Sequence, residues 1–143
     1  QSFLFQLVNE AFFRDIVQQS ERLRKACMKR HELALKAKEI LSAQAFDNSR
    51  YVPIALQING LQDKIDQNEF YLRFVLPAIN LTLGIQNVVA ERKMRQCTTE
   101  NDKNLIKLDS ILNQTVEIIG KCNFIQHVLT EPEEKWEWEQ EKS

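Results

Sequence analysis

Two cysteine–histidine pairs hold the most reactive side chains that lie close together in this chain. Cys27 and His31 are four residues apart and so share one face of a helix, an arrangement in which an imidazole can activate a thiol. Cys122 and His127 are five residues apart and do not share a face. Basic residues crowd the turn around Cys27, and no third residue is placed to orient the histidine. The pattern therefore does not predict a nucleophilic site.

Metal and cofactor chemistry need clusters of ligating side chains, and the sequence has none at the usual spacings. His31 and His127 are its only histidines, and no CxxC, HxxxH or ExxH pattern occurs. The carboxylates fall mainly on polar helix faces rather than in paired acid–base arrangements. We therefore expect no catalytic residue, no cofactor, no metal site and no small-molecule substrate, and we interpret the protein as a non-enzyme.

A strongly basic stretch spans residues 22–38, where seven Lys and Arg stand against a single Glu, a net charge of +6. Such a stretch is typical of a surface that binds anionic lipid headgroups, nucleic-acid phosphates or an acidic protein. The alternative is the solvated face of a long helix. The window has no aromatic residue to stack on bases, which argues against single-stranded nucleic acid. The candidate anion-binding residues are Arg22, Arg24, Lys25, Lys29, Arg30, Lys36 and Lys38.

The last thirteen residues, 131–143, form an acidic tail. They hold six Glu and two Lys, a net charge of −4, together with Trp136 and Trp138. Tryptophan is enriched at the centres of protein interfaces, so the tail is a candidate partner-binding segment. Its possible targets are the basic stretch of its own chain, the same stretch of another copy, and a basic partner. The alternative is an inert end whose tryptophans pack on the rest of the chain.

A second concentration of aromatic residues lies at the start of the chain. Four of the eight phenylalanines are there, Phe3, Phe5, Phe12 and Phe13, and they point to more than one side of a helix. A helix that is apolar on several sides must be covered on several sides. We therefore expect this end to bind a partner helix or a second copy. A central position in a compact bundle is the alternative.

The elements that position these residues must be helical, because turn-forming residues are scarce. Three Gly and three Pro in 143 residues are far fewer than a sandwich, barrel or propeller needs, and no Gly-rich phosphate loop exists. A net charge of −1 argues against a dedicated nucleic-acid-binding domain. The hydrophobic fraction of 43% is enough to form a core.

The cysteines and the sequons bear on the compartment. Three widely spaced cysteines do not form a disulfide framework, and they favour a reducing compartment, cytoplasmic or nuclear. Two N-glycosylation sequons begin at Asn80 and Asn113, so a secreted helical-bundle ligand stays a further alternative.

Apolar residues at helical spacing predict three long helices, with Thr98 or Thr99 as the N-cap of the third. Pro77 predicts a kink or a split in the second helix. The uncharged run 74–90 is short and polar for a membrane span and predicts a buried helix. The first predicted helix covers residues 2–46. The second has Pro53 in its first turn and ends near Gln96, and the third follows its threonine cap and ends near Leu129.

Together these patterns predict an all-α protein: an elongated, antiparallel, partly coiled-coil-like bundle of three long helices over residues 1–130, followed by the acidic tail. In helix number and length it is similar to helical subunits of large cytoskeletal, centrosomal, kinetochore or tethering assemblies, an architectural resemblance without a diagnostic motif. We expect a structural or adaptor subunit that binds helical protein partners or itself. The alternative is a peripheral binder of anionic membrane or nucleic-acid surfaces through residues 22–38.

Overall fold

Four α-helices account for most of the chain that the computed structural model describes, which is residues 3–130 of the backbone and residues 9–130 of the side chains. No strand occurs between residues 3 and 130. A single π-helical turn, Tyr71–Val75, precedes the third helix. The helices are α1 (Phe3–Ser42), α2 (Asn48–Asp66), α3 (Leu76–Arg95) and α4 (Glu100–Thr130). The all-helical prediction is confirmed for this range, and four α-helices replace the predicted three.

A polar side chain caps the helix that follows each of the three turns. The Asp47 carboxylate accepts a hydrogen bond from the Ser49 backbone N–H at 3.0 Å, so α2 begins at Asn48 and Pro53 lies past its predicted place in the first turn. The side-chain oxygen of Asn68 accepts from the backbone N–H three residues on, at 2.8 Å. The Thr99 hydroxyl does the same at 3.1 Å, which confirms one of the two caps predicted for the last helix.

The interruption expected at Pro77 lies at Gln67–Asn68 instead, and Pro77 is inside a helical run that starts at Glu69. Proline removes one backbone N–H, and its ring crowds the carbonyl four residues back. The π turn accommodates this, because the N–H of Leu76 bonds to the carbonyl of Tyr71, five residues earlier, and widens the helix just before the proline. The sequence signal for the true break was the cap residue Asn68 followed by an acidic residue.

Neighbouring helices run antiparallel, and polar contacts set the register of α1 against α4. Near one end of the pair, the Ser20 hydroxyl donates to the Cys122 carbonyl at 3.1 Å. Near the other end, Lys38 and Asp109 form an ion pair at 2.7 Å. α2 packs against α1, and α3 packs against α4. The order along the chain is therefore up, down, up, down.

The described core consists of two apolar clusters along α1. The first lies around the α2–α3 turn and joins that turn to α1 and α4. The second lies toward the end of α1 and joins α1 to α2 and α4. The buried residues of the first are Ile16, Leu23, Cys27, Ile65, Phe70, Tyr71, Val75, Ile79, Ile118 and Cys122. Those of the second are Ala34, Ala37, Leu41, Ile58 and Leu108.

Candidate interaction surfaces

The basic stretch 22–38 does not form one surface, because its residues have different environments. Arg30 is 0% exposed and belongs to the core. Arg24 pairs with Glu21 at 2.6 Å, and Lys38 pairs with Asp109 on α4. The prediction that all seven cations face an anionic partner is therefore wrong for Arg30. Nothing in the local sequence marks which of these cations faces inward.

The four remaining cations of the stretch are exposed and lie on one side of α1. Their spacing of three, four and seven residues places them within about a third of the helix circumference. None of them takes part in the two ion pairs found among residues 9–130. We call this set the cationic stripe, and its residues are Arg22, Lys25, Lys29 and Lys36.

Arg30 is the centre of a buried hydrogen-bond network between helices. Its Nη1 donates to the side-chain oxygens of Gln62 on α2 and Gln114 on α4, at 2.6 and 3.0 Å. Its Nη2 donates to the Thr115 hydroxyl at 3.1 Å, and its Nε has no hydrogen-bond partner. All of these acceptors are neutral. Burial lowers the pKa of Arg30 below its ordinary value, because desolvation disfavours the charged form.

The two glutamines extend the hydrogen-bond network of the buried cation to an exposed carboxylate and to a buried tyrosine. The Gln62 Nε2 donates to the exposed Asp66 carboxylate at 2.9 Å. The Gln114 Nε2 donates to the Tyr71 hydroxyl of the π turn at 3.3 Å. Amide dipoles oriented in this way stabilise a positive charge without placing a carboxylate in the core. The network therefore connects α1, α2, α4 and the π turn through one guanidinium.

The cysteine–histidine pairs have no environment that would activate a thiol. Cys27 is fully buried, and burial raises the pKa of its thiol to about 11. Burial also raises the pKa of Cys122. A high thiol pKa keeps the nucleophilic thiolate scarce. Among the described residues, no three His, Cys, Asp or Glu side chains come together as a metal-binding group.

The phenylalanines at the start of α1 are exposed as far as their side chains are described. Phe12 is 54% exposed and Phe13 is 42% exposed, and their rings lie 6.0 Å apart. Phe3 and Phe5 lie in α1, but their side chains fall outside the described residues. Trp136 and Trp138 also fall outside the described residues. A central position in the bundle is therefore excluded for the described pair.

The third helix is far more exposed than its apolar sequence predicts. Val75 and Ile79 are buried, but Leu81 is 80% exposed and Ile85 is 59% exposed. The run Tyr71–Arg95 is long and apolar enough to cross a membrane by length and composition alone, and 11% of its most apolar window is buried. The expectation of a buried helix over residues 74–90 is therefore wrong.

The exposed apolar residues of α3 and the preceding turn form a second face about 100° from the buried one. Their steps of four, three, four and three residues are those of a helix–helix contact, and this spacing was the signal available in the sequence. A groove of about 170 Å³ between α3 and α4 runs beside them and is lined by Ile85, Val89 and Ile106 among others. We call this set the outer stripe: Phe74, Ala78, Leu81, Ile85 and Val88.

No known protein family, curated protein or solved structure matches this chain.

Proposed function

We propose that this protein is a non-enzymatic structural or adaptor subunit of a larger assembly, and that the outer stripe binds a helix of its protein partner. The observation that carries the proposal is the exposed apolar face of α3. Soluble proteins scatter single apolar residues over their surfaces, but a contiguous apolar face marks an interaction site. The spacing of the stripe matches the way one helix presents side chains to another.

The free energy available from covering the outer stripe is large enough for a specific complex. Burying a Val, Leu, Ile or Phe side chain completely is worth about 1.5–3 kcal/mol. The four large side chains of the stripe are 42–80% exposed, so a partner would gain roughly 4–7 kcal/mol from them before other contacts are counted. The neighbouring groove offers a depression for a side chain of the partner.

A double substitution in the outer stripe tests the proposal. Leu81→Glu with Ile85→Glu places two charges in the stripe at positions that point to solvent, so the fold is expected to survive. The matched control is Leu56→Glu, which changes an α2 residue that is 64% exposed and lies outside the stripe. Each tagged full chain is purified from the cells that normally express it, and stoichiometric companions are identified by mass spectrometry.

We expect the wild-type chain and the control to retain the same companions and the stripe variant to lose them. Circular dichroism and a melting curve establish that all three are folded. A wild-type chain that is monomeric, melts sharply and has no stoichiometric companion would contradict the proposal. So would a stripe variant that keeps every companion.

The cationic stripe supports a second candidate function, the binding of an anionic membrane surface. Its four exposed cations share one side of α1, and a group of this size is attracted to acidic lipids at roughly 1 kcal/mol per residue. Lys25→Glu with Lys29→Glu should abolish sedimentation with acidic vesicles, and wild-type binding should fall steeply as salt is raised. Equal binding by wild type and variant would contradict this function.

The proposed adaptor acts inside the cell, cytoplasmic or nuclear, in keeping with the free cysteines at positions 27, 97 and 122. Asn80 and Asn113, the two sequon asparagines, are exposed on helices. A glycan on either residue in the native protein would contradict the intracellular location and favour the secreted alternative.

A further inference from the structure

The register of α1 and α4 leaves the first turns of α1 without a described helical neighbour. Ser20 lies opposite Cys122, and antiparallel helices advance by equal steps in opposite directions. At this register Phe13 and Phe12 lie opposite Leu129 and Thr130, the last described residues of α4, so no further described turn of α4 packs beside them. This explains why both rings are about half exposed although they belong to the longest helix.

The end of α4 also has a face against which no described helix packs. Ser110 and Asn113 line the groove where α4 meets α3, and Phe124 and Val128 continue that face of α4 by steps of three and four residues. They lie past the start of α3, and Phe124 is 63% exposed. Phe124 and Val128 lie about 160° and 120° around α4 from Cys122, which faces α1, so they belong to a separate exposed face. We call the pair of exposed rings on α1 the end patch, and its residues are Phe12 and Phe13.

The acidic tail is the segment best placed to reach the end patch. It follows Thr130, which lies opposite Phe12, and its thirteen residues span at most about 43 Å when fully extended. Trp136 and Trp138 supply large apolar side chains, and the net charge of −4 complements the cationic stripe. That stripe begins at Arg22, about 15 Å along α1 from Phe12.

We propose that residues 131–143 fold back within the same molecule and cover the end patch, with Trp136 and Trp138 packed on Phe12 and Phe13. The tail is tethered at the edge of the patch, so its effective concentration there is in the millimolar range. A second copy or a separate partner that binds the patch with the same intrinsic affinity must exceed that concentration to displace it. Covering the end patch leaves the outer stripe of α3 free, so this inference does not rest on the proposed function.

Tryptophan fluorescence tests the inference directly, because Trp136 and Trp138 are the only tryptophans in the chain. Emission and acrylamide quenching therefore report on the tail alone. The test variant is Phe12→Ser with Phe13→Ser, which removes both rings of the patch at exposed positions. The matched control is Leu81→Ser with Ile85→Ser, which removes apolar side chains of similar exposure from α3. Wild type and both variants are measured as full chains over a wide range of concentration.

We expect blue-shifted, quenching-protected tryptophan emission in the wild type and in the control. We expect solvent-like emission and a several-fold rise in quenching in the patch variant, with helical content unchanged. Solvent-like emission in the wild type overturns the inference, and so does protected emission that survives in the patch variant. Protection that is lost on dilution, together with a dimer mass by light scattering, assigns the patch to a second copy and also overturns it.

Discussion

Replacing the buried Arg30 separates the hydrogen bonds of its guanidinium from the charge that it carries. Arg30→Lys keeps a cation in the core but replaces a planar fork by one nitrogen at the end of a narrow chain. One nitrogen cannot bond Gln62, Gln114 and Thr115 in the present geometry, which uses both terminal nitrogens of the guanidinium. Arg30→Met removes the bonds and the charge together. Comparing the two variants therefore shows which contribution is larger.

The structure indicates which of the two variants loses more stability. A hydrogen bond to a charged group contributes about 1.5–3 kcal/mol, so a lysine that loses two of the three bonds loses about 3–6 kcal/mol. Methionine loses all three bonds, but it also removes a desolvation cost of several kcal/mol. Gln62 and Gln114 line a polar cavity of about 210 Å³, so their freed carbonyls can turn to water. We expect a net loss of about 1–3 kcal/mol for Arg30→Met, roughly 2 kcal/mol less than for Arg30→Lys.

Urea unfolding followed by circular dichroism measures both losses as changes in the free energy of unfolding. The control is Lys36→Met, which removes an exposed cation from the same helix and should change stability by less than about 0.5 kcal/mol. The lysine variant should also recover stability as pH rises, because burial lowers the pKa of a cation and deprotonation relieves its cost. A methionine variant that is less stable than the lysine variant would refute the reasoning, since the bonds would then outweigh the desolvation cost.

Three further outcomes follow from individual residues. Gly120→Ala should stabilise the protein by about 0.5–1 kcal/mol, because an added Cβ meets nothing within 4 Å and alanine is the better helix former. Urea unfolding measures the change, and unchanged or lower stability would contradict this prediction. The hydrogen bond from Arg24 lowers the pKa of Glu21 to about 2, so the stabilising contribution of the Glu21 carboxylate is present above pH 4.5 and is lost as pH falls toward 2. Glu21→Gln should therefore slightly flatten the dependence of stability on pH in this range, and an unchanged pH profile would contradict this prediction. Cys97 should react with a thiol reagent well before Cys27, because Cys27 is fully buried and its pKa is about 11. Equal reaction rates in the folded protein would contradict the burial of Cys27.

Local signals in the sequence predicted helix type well and helix boundaries unevenly. The start of α4 was predicted because the Thr99 hydroxyl caps it through a bond three residues away. The break between α2 and α3 was missed because Pro77 is the stronger helix breaker in isolation. In the structure Asn68 caps the new helix and the π turn accommodates the proline. A proline shows that a helix must adjust, but the neighbouring residues determine how it adjusts.

For the candidate interaction residues, too, the sequence predicted some features and left others undetermined. Phe12 and Phe13 are exposed, and the binding of a partner at this end of the chain stays a prediction. All seven cations of the basic stretch were predicted to bind an anionic surface, although Arg30 turns into the core and Lys38 pairs with Asp109 on α4. Helical spacing places residues on faces, but it does not show which face a neighbouring helix covers.

The sequence alone determined that this chain is helical, because the scarcity of glycine and proline and the spacing of apolar residues act within a few turns. It also determined which faces are apolar. Only the tertiary structure decided which of those faces are buried. α3 packs against α4 along one face and leaves the outer stripe exposed, and α1 extends past the described end of its neighbour. Burial depends on where helices of unequal length end beside one another, and that is a property of the packed bundle rather than of any one segment.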